Sequence, residues 1–266
     1  MFATKLCVPR WALAALALAI FTSSATAEEK ARKSSKEDGF VSIFDGKTLE
    51  NWDGNPDFWT VKDGAITGET TADNPTKGNT FIIWRGGDVS NFELKLQYKI
   101  IGTVEKKRAN SGIQYRSFEV KDQKWVVGGY QADFEAGDTY SGILYGERFR
   151  GILAGRGEKT EIMRTPDQKK ILIKKVGKVG DSKEIQSKIK AEDWNDYHII
   201  AKDFNFVHKI NGVTTCEATD KERQRRESGI IALQLHAGPP MRVQFRNIQL
   251  KKTGNAKKTA TAVKKK

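Results

Sequence analysis

The sequence predicts an all-β protein, a two-sheet antiparallel β-sandwich with one short helix. Three observations point there. About twelve short segments alternate apolar and polar residues with a period of two. Turn dipeptides, Asp63-Gly64 and Asn211-Gly212 among them, recur between those segments. Only one stretch, 182–190, has helical spacing, which disfavours strands and helices alternating around a parallel sheet. No internal repeat stands out, so a solenoid or propeller is not expected.

The elements follow in order. FVSIFDG (40–46) is a short strand closed by an Asp-Gly turn, and FWTVKDGAITGE (58–69) is a hairpin about Asp63-Gly64, with Trp52 and Trp59 as packing residues. Phe81–Trp84 is an apolar run. In FELKLQYKI (92–100), Phe92, Leu94, Leu96, Tyr98 and Ile100 share one face. A charged turn (102–109) leads to the strand SGIQYRSFEV (111–120). In WVVGGYQADFE (125–135), a strand from Gly129 places Tyr130, Ala132 and Phe134 on one face and Gln131, Asp133 and Glu135 on the other. Such a polar face suits either solvent or a sugar-binding groove. Short apolar pieces, 142–145 and 151–153, flank Glu147-Arg148-Phe149-Arg150.

Residues 155–193 are less regular, with a strand over 169–176 and then the helix. Asp181 is its N-cap, and Ile185 and Ile189 lie four apart. Strands resume at 194–202, 204–210 and 213–216, the last two joined by Asn211-Gly212. A charged loop (220–227) precedes SGIIALQLHAG (228–238). In MRVQFRNIQL (241–250) the alternation changes phase near Asn247, the mark of a bulge.

Residues 1–27 read as a secretory signal, with Lys5 and Arg10 before an apolar core, Trp11–Phe21, and a small-x-small site at Ala25-Thr26-Ala27. The apolar run falls short of the roughly 20 residues that span a bilayer. The mature chain is therefore expected to be periplasmic or extracellular, with no transmembrane segment. Residues 28–38 form a polar linker, 39–252 the sandwich domain, and 253–266 a Lys-rich, disordered tail. The formal net charge of +13 is concentrated at the ends, since seven lysines and no acid follow Leu250. The tail is expected to touch polyanions weakly, without specific nucleic-acid recognition. Only Cys216 remains outside the signal, so no intramolecular disulfide is expected. Gly86-Gly87 and Gly128-Gly129 lack the strand–GxGxxG–helix setting, and no nucleotide cofactor is expected.

The segments FVSIFDGKTLENW, FWTVKDGAITGE, FELKLQYKI, NSGIQYR, WNDYHIIAKDFNFVHKINGV and GIIALQLHAGPPMRVQFRNIQL, in this order, resemble the 3-keto-disaccharide hydrolase family across residues 39–252. The resemblance implies a concanavalin A-like lectin/glucanase fold, a jelly roll whose concave face carries the ligand. It also implies action on a glycoside or oligosaccharide oxidised to a ketone at C3. The ketone acidifies the C2 proton, so the C1–O bond leaves by elimination and water then adds. That chemistry needs a base, an acid for the leaving oxygen and polarisation of the ketone. A divalent metal ion is implied for the last role in some relatives.

The resemblance carries over to particular residues. Where the family has a tyrosine followed by Glu-x-Gln, this chain has Tyr130 followed by Gln131-Ala132-Asp133, so the acid sits two places along the same face. Asp133 is the candidate base or metal ligand, with Gln131 and Glu135 beside it. Asn110 opens the Asn-Ser-Gly-Ile turn and is either a backbone cap or a substrate or ion contact, and Arg116 faces either a sugar hydroxyl or solvent. Gln234 and His236 share a strand face, and histidine suits proton transfer or metal ligation, so His236 is a candidate catalytic residue and metal ligand. Tyr145 can pack on a sugar face, Glu147 is a candidate acid partner for Asp133, and Arg85 is a groove candidate. The competing reading is a non-catalytic carbohydrate-binding or envelope-associated module, since one fold hosts many functions. A two-carboxylate glucanase is disfavoured because Gln131–Glu135 does not follow a Glu-x-Asp-x-x-Glu pattern.

Overall fold

The structure, a computed structural model, describes residues 38–104 and 108–254. The signal (1–27), all but the last residue of the linker (28–38) and most of the tail (253–266) lie outside the described residues. The chain divides into two units, Met1–Val41 and Ser42–Lys266. Of the first, only a turn at Asp38-Gly39, Phe40 and the first residue of the two-residue strand β1 (Val41–Ser42) are described.

The second unit is a two-sheet β-sandwich. After β1 come β2 (Trp52–Asp53), β3 (Trp59–Lys62), β4 (Ala65–Glu69), β5 (Thr80–Trp84), β6 (Asn91–Gly102), β7 (Asn110–Glu119), β8 (Val127–Glu135) and β9 (Leu144–Glu147). They are followed by β10 (Gly151–Ala154), β11 (Glu158–Arg164), β12 (Ile171–Lys178), the helix α1 (Ser182–Gln186), β13 (Asn195–Lys202), β14 (Asn205–Ile210), β15 (Val213–Asp220), β16 (Ile230–Leu235) and β17 (Met241–Gly254). The larger sheet runs β12-β11-β15-β14-β13-β6-β17-β4-β3, and the smaller runs β10-β9-β8-β7-β16-β5-β2. Among these neighbours one pair, β11 with β15, is parallel. Strand β11 falls in the stretch the sequence left irregular.

Local sequence explains the elements. Asp63 and Gly64 have φ 53° and 72°, and Asn211 and Gly212 have φ 50° and 81°, the doubly positive pair that lets a two-residue turn follow strand twist. Asp181 caps α1 by accepting the backbone N–H groups of Lys183 and Glu184. Asn247, at φ 53°, sits where the pairing of β17 with β6 shifts register, so the change of phase is a bulge.

Aromatic rings join the two layers. Tyr98 of β6 packs 4.0 Å from Phe134 of β8, and Phe206 of β14 packs 4.6 Å from Tyr130 of β8. Tyr115 of β7 donates to or accepts from His208 Nε2 at 2.9 Å, across the same interior. The inward residues of β8 are thus Tyr130, Ala132 and Phe134, all fully buried, and the intervening residues point to the outer face of the smaller sheet.

Candidate active site

That outer face carries the candidate site. Strand register sets a row across it: Ile83 on β5 opposes Ala232 on β16, Ala232 opposes Gln114 on β7, Gln114 opposes Gln131 on β8, Gln131 opposes Tyr145 on β9, and Tyr145 opposes Ile152 on β10. The β5 end is apolar and covered, because Phe81, Ile83, Ala232 and Val127 form their own buried cluster. Toward β9 the face opens into a cavity of about 350 Å³ lined by Asn79, Asn110, Gln131, Asp133, Tyr140, Ile143, Tyr145, Glu147, Ile152 and His236. This size is at the small end for ligand pockets.

Side-chain amides organise the floor. Ser117 Oγ donates to Gln114 Oε1 at 2.8 Å, and Gln114 Nε2 donates to Gln131 Oε1. Gln131 Nε2 then donates to Asp133 Oδ1 at 3.2 Å and to Gln234 Oε1 at 3.5 Å. Gln234 Nε2 continues the chain to Glu147 Oε2 at 3.5 Å. Gly112 makes room for it: a Cβ there would lie 2.4 Å from Cγ and Cδ of Gln131. A second chain leaves Glu147. Its Oε1 accepts from Asn79 Nδ2 at 3.3 Å, and Asn79 Oδ1 accepts the Ala237 N–H at 3.0 Å. The Ala237 carbonyl in turn accepts from His236 Nδ1, because a carbonyl oxygen can only accept. In the neutral ring this places the hydrogen on Nδ1 and leaves the lone pair on Nε2.

Asp133 is 6% exposed. Burial pushes its carboxyl well above the usual carboxylate range, and the nearby charge of Glu135 adds to the shift; hydrogen bonds from Gln131 and Asn110 only partly oppose it. The Tyr145 hydroxyl is also pushed up, first by burial and then by the charge of Glu147, so it stays a donor.

The structure therefore brings together Asn110, Gln131, Asp133, Tyr145, Glu147 and His236 around one cavity, with Gln234 beneath it. Three sequence candidates lie elsewhere. The Glu135 carboxylate caps the following loop by accepting the N–H groups of Thr139 at 2.6 Å and Tyr140 at 2.8 Å. Arg85 ion-pairs with Asp53 and Glu119, away from the cavity. Arg116 is placed in the interior, neither on a sugar face nor in solvent. With φ 45° it sits where the β7–β8 register slips, and this bulge turns its guanidinium inward, where it donates to Ser90 O, Asp203 O and Asn91 Oδ1. Period-two counting cannot see a bulge of this kind.

Sequence pattern alone does not single out Asn79, Ser117 or Gln114. Gln114 follows Gly112 by two on β7, so the strand period could have found it; Asn79 becomes visible only when β5 pairs with β16. A divalent ion would need more ligands than Asp133 and His236. Among the described residues no group of three or more His, Cys, Asp or Glu is arranged to hold one, so amide oxygens such as Asn110 or Gln131 would have to complete the set. No helix among the described residues is long and apolar enough to cross a membrane.

Comparison with known proteins gives the family and the fold. A family model described as a 3-keto-α-glucoside-1,2-lyase-like domain matches residues 39–251. A 3-keto-disaccharide hydrolase from Bacteroides thetaiotaomicron is 36% identical over 94 residues, which span 31% of this chain and 29% of that protein. Among solved structures, a candidate glycosyl hydrolase from Parabacteroides distasonis superposes with a TM-score of 0.53 at 18% identity, over 83% of this chain and 97% of that one. A Bacillus subtilis protein of unknown function with a galectin-like fold gives 0.51 at 9% identity, over 77% and 90%. These two likenesses establish the concanavalin A/galectin-like sandwich.

Proposed function

From the premise that this chain belongs to the 3-keto-α-glucoside-1,2-lyase-like family, we propose that its cavity binds a glycoside bearing a ketone at C3 and cleaves the C1–O bond by elimination followed by hydration. The observation that carries this reading is that one cavity is lined both by a buried acid held above the carboxylate range, Asp133, and by an imidazole whose Nδ1 is tied to a backbone carbonyl, His236. A buried carboxyl that favours its proton, beside an imidazole able to accept one, supplies the acid and the base that this chemistry requires.

In this reading His236 Nε2 takes the C2 proton, made acidic by the C3 ketone. The C2–H electron pair forms the C1=C2 bond, and the C1–O pair departs with the leaving oxygen. Asp133, kept protonated by burial, supplies that oxygen with a proton. The Tyr145 hydroxyl donates to the C3 oxygen as negative charge develops there. Water then adds at C1 and a proton returns to C2, which restores the 3-keto sugar. Glu147 is a positioning residue: through Asn79 and Ala237 it fixes the segment that carries His236, and through Gln234 it steadies the amide floor. Export is proposed on the same footing, with the mature chain starting after Ala27.

The test is incubation of the mature protein with a panel of 3-keto-disaccharides, with and without chelator, followed by mass spectrometry. Release of the unsaturated ketone or the 3-keto sugar is expected, with loss of turnover in His236→Gln. Specific glycan binding without turnover across the panel would replace this reading with that of a binding module.

A further inference from the structure

Two of the six large apolar side chains exposed among the described residues stand at the rim of this cavity: Tyr140, 44% exposed, and Ile152, 53% exposed. Their placement follows from the strand order. Across the outer face the lining passes from the amide of Gln131 to the Tyr145 ring, and then to the bare Ile152 side chain on the edge strand β10. Ile143, from the β8–β9 loop, and Tyr140 close the same side. The cavity is thus divided. One half holds Asn79, Asn110, Gln131, Asp133, Glu147 and His236 and suits a hydroxyl-rich ring. The other presents rings and aliphatic carbon.

Resting on the reading above, we propose that this second half is the leaving-group subsite, and that it selects 3-keto-glycosides of aromatic or other apolar alcohols over 3-keto-disaccharides. A second sugar ring there would find the Tyr140 and Tyr145 rings but would turn its remaining hydroxyls against Ile152 and Ile143, which offer no hydrogen bond, and a hydroxyl left unsatisfied is costly. A flat apolar group would instead remove Ile152 and Tyr140 from water and pack on Tyr145. Exposed apolar groups that adjoin a polar pocket are more informative than scattered ones on a surface.

The experiment compares 2-phenylethyl and ethyl 3-ketoglucosides of the same anomeric configuration, whose leaving alcohols differ little in acidity, with a 3-keto-disaccharide as third substrate. The phenylethyl compound is expected to have kcat/KM about tenfold above the ethyl compound, mainly through KM. Ile152→Ser and Tyr140→Ser are each expected to pull that ratio toward one. Equal values for the two glycosides in the unaltered protein would overturn the proposal, as would preference for the disaccharide or a ratio insensitive to both substitutions. If the protein turns over none of the three, the catalytic reading fails separately. Calorimetric titration of unoxidised phenylethyl and ethyl glucosides then decides the rim: tighter binding of the phenylethyl compound upholds it and equal binding sinks it.

Discussion

Two aspartates lie out of water in this sandwich, in opposite company. Asp220, at the end of β15, is fully buried between the sheets; it is ion-paired with Arg150 and accepts hydrogen bonds from the Tyr130 hydroxyl and the Glu222 N–H. Asp133, on the outer face of β8, is 6% exposed and is held by the amides of Gln131 and Asn110. A buried acid with a cation is locked into the fold, because neither charge can be removed without stranding the other. A buried acid among neutral amides keeps its proton and remains free to transfer it. On this contrast Asp220 is a structural group, and Asp133 has the surroundings that the proposed proton donor needs.

The largest expected effects separate the two. Asp220→Asn leaves the Arg150 guanidinium buried without its counter-charge and should cost about 3–5 kcal/mol of stability, read by denaturant unfolding. Asp133→Asn should leave stability unchanged or higher and reduce turnover of a 3-keto-disaccharide by roughly 10²–10⁴-fold. Equal loss of stability in both variants would erase the distinction. The pH dependence sharpens it. Asp133 has a folded pKa raised above the unfolded value, so the folded state binds the extra proton between the two. Its stabilising effect is complete below the unfolded value near 3.8 and is lost as pH rises through the folded pKa. The Tm difference between Asp133→Asn and the unaltered protein should therefore grow in favour of the variant as pH is raised from about 4. A flat difference would show that the carboxyl is not perturbed.

The same contrast explains how much could be read in advance. The period-two faces of β6 and β8, both two-residue hairpin turns, the helix cap and the β17 bulge follow from local sequence, because each is set by the residues that carry it. Gln131, Asp133 and Tyr145 were legible as site candidates for the same reason. Arg116 was not, because a positive φ at a non-glycine residue rotates it off its face. Glu135 was not, because a carboxylate two residues beyond Asp133 finds the backbone of its own loop before it finds the cavity. Asn79 is joined to Glu147 and Ala237, 68 and 158 residues away, and such contacts exist only once the sheet is assembled. Of the three histidines, His236 lies on the cavity wall. His208 is sealed among Tyr115 and Tyr197, with burial pushing it down to about 3, so it packs as a neutral ring.

Gly112 offers an intermediate test of the amide floor. Gly112→Ala drives a methyl group into the Gln131 side chain and must displace it from Asp133 and Gln234. Turnover should fall about tenfold, with a stability cost on the order of 1–3 kcal/mol from overpacking. Gln131→Ala in the same background should restore stability but not activity, since the clash goes while the donor to Asp133 stays absent; recovery of both would remove Gln131 from the site.

The smallest effect is expected where charge is most visible. Arg85 bonds to Asp53 at 2.6 Å and to Glu119 at 2.5 Å, yet all three side chains are more than a third exposed. Water and salt screen such pairs, so their close geometry converts into little stability. Arg85→Ala should cost less than about 1 kcal/mol, with the difference shrinking further in added salt. Turnover should be unchanged, because the pair lies outside the cavity built on β7, β8, β9 and β10. A clear loss of turnover at full stability would return Arg85 to the substrate groove and extend the site toward β5.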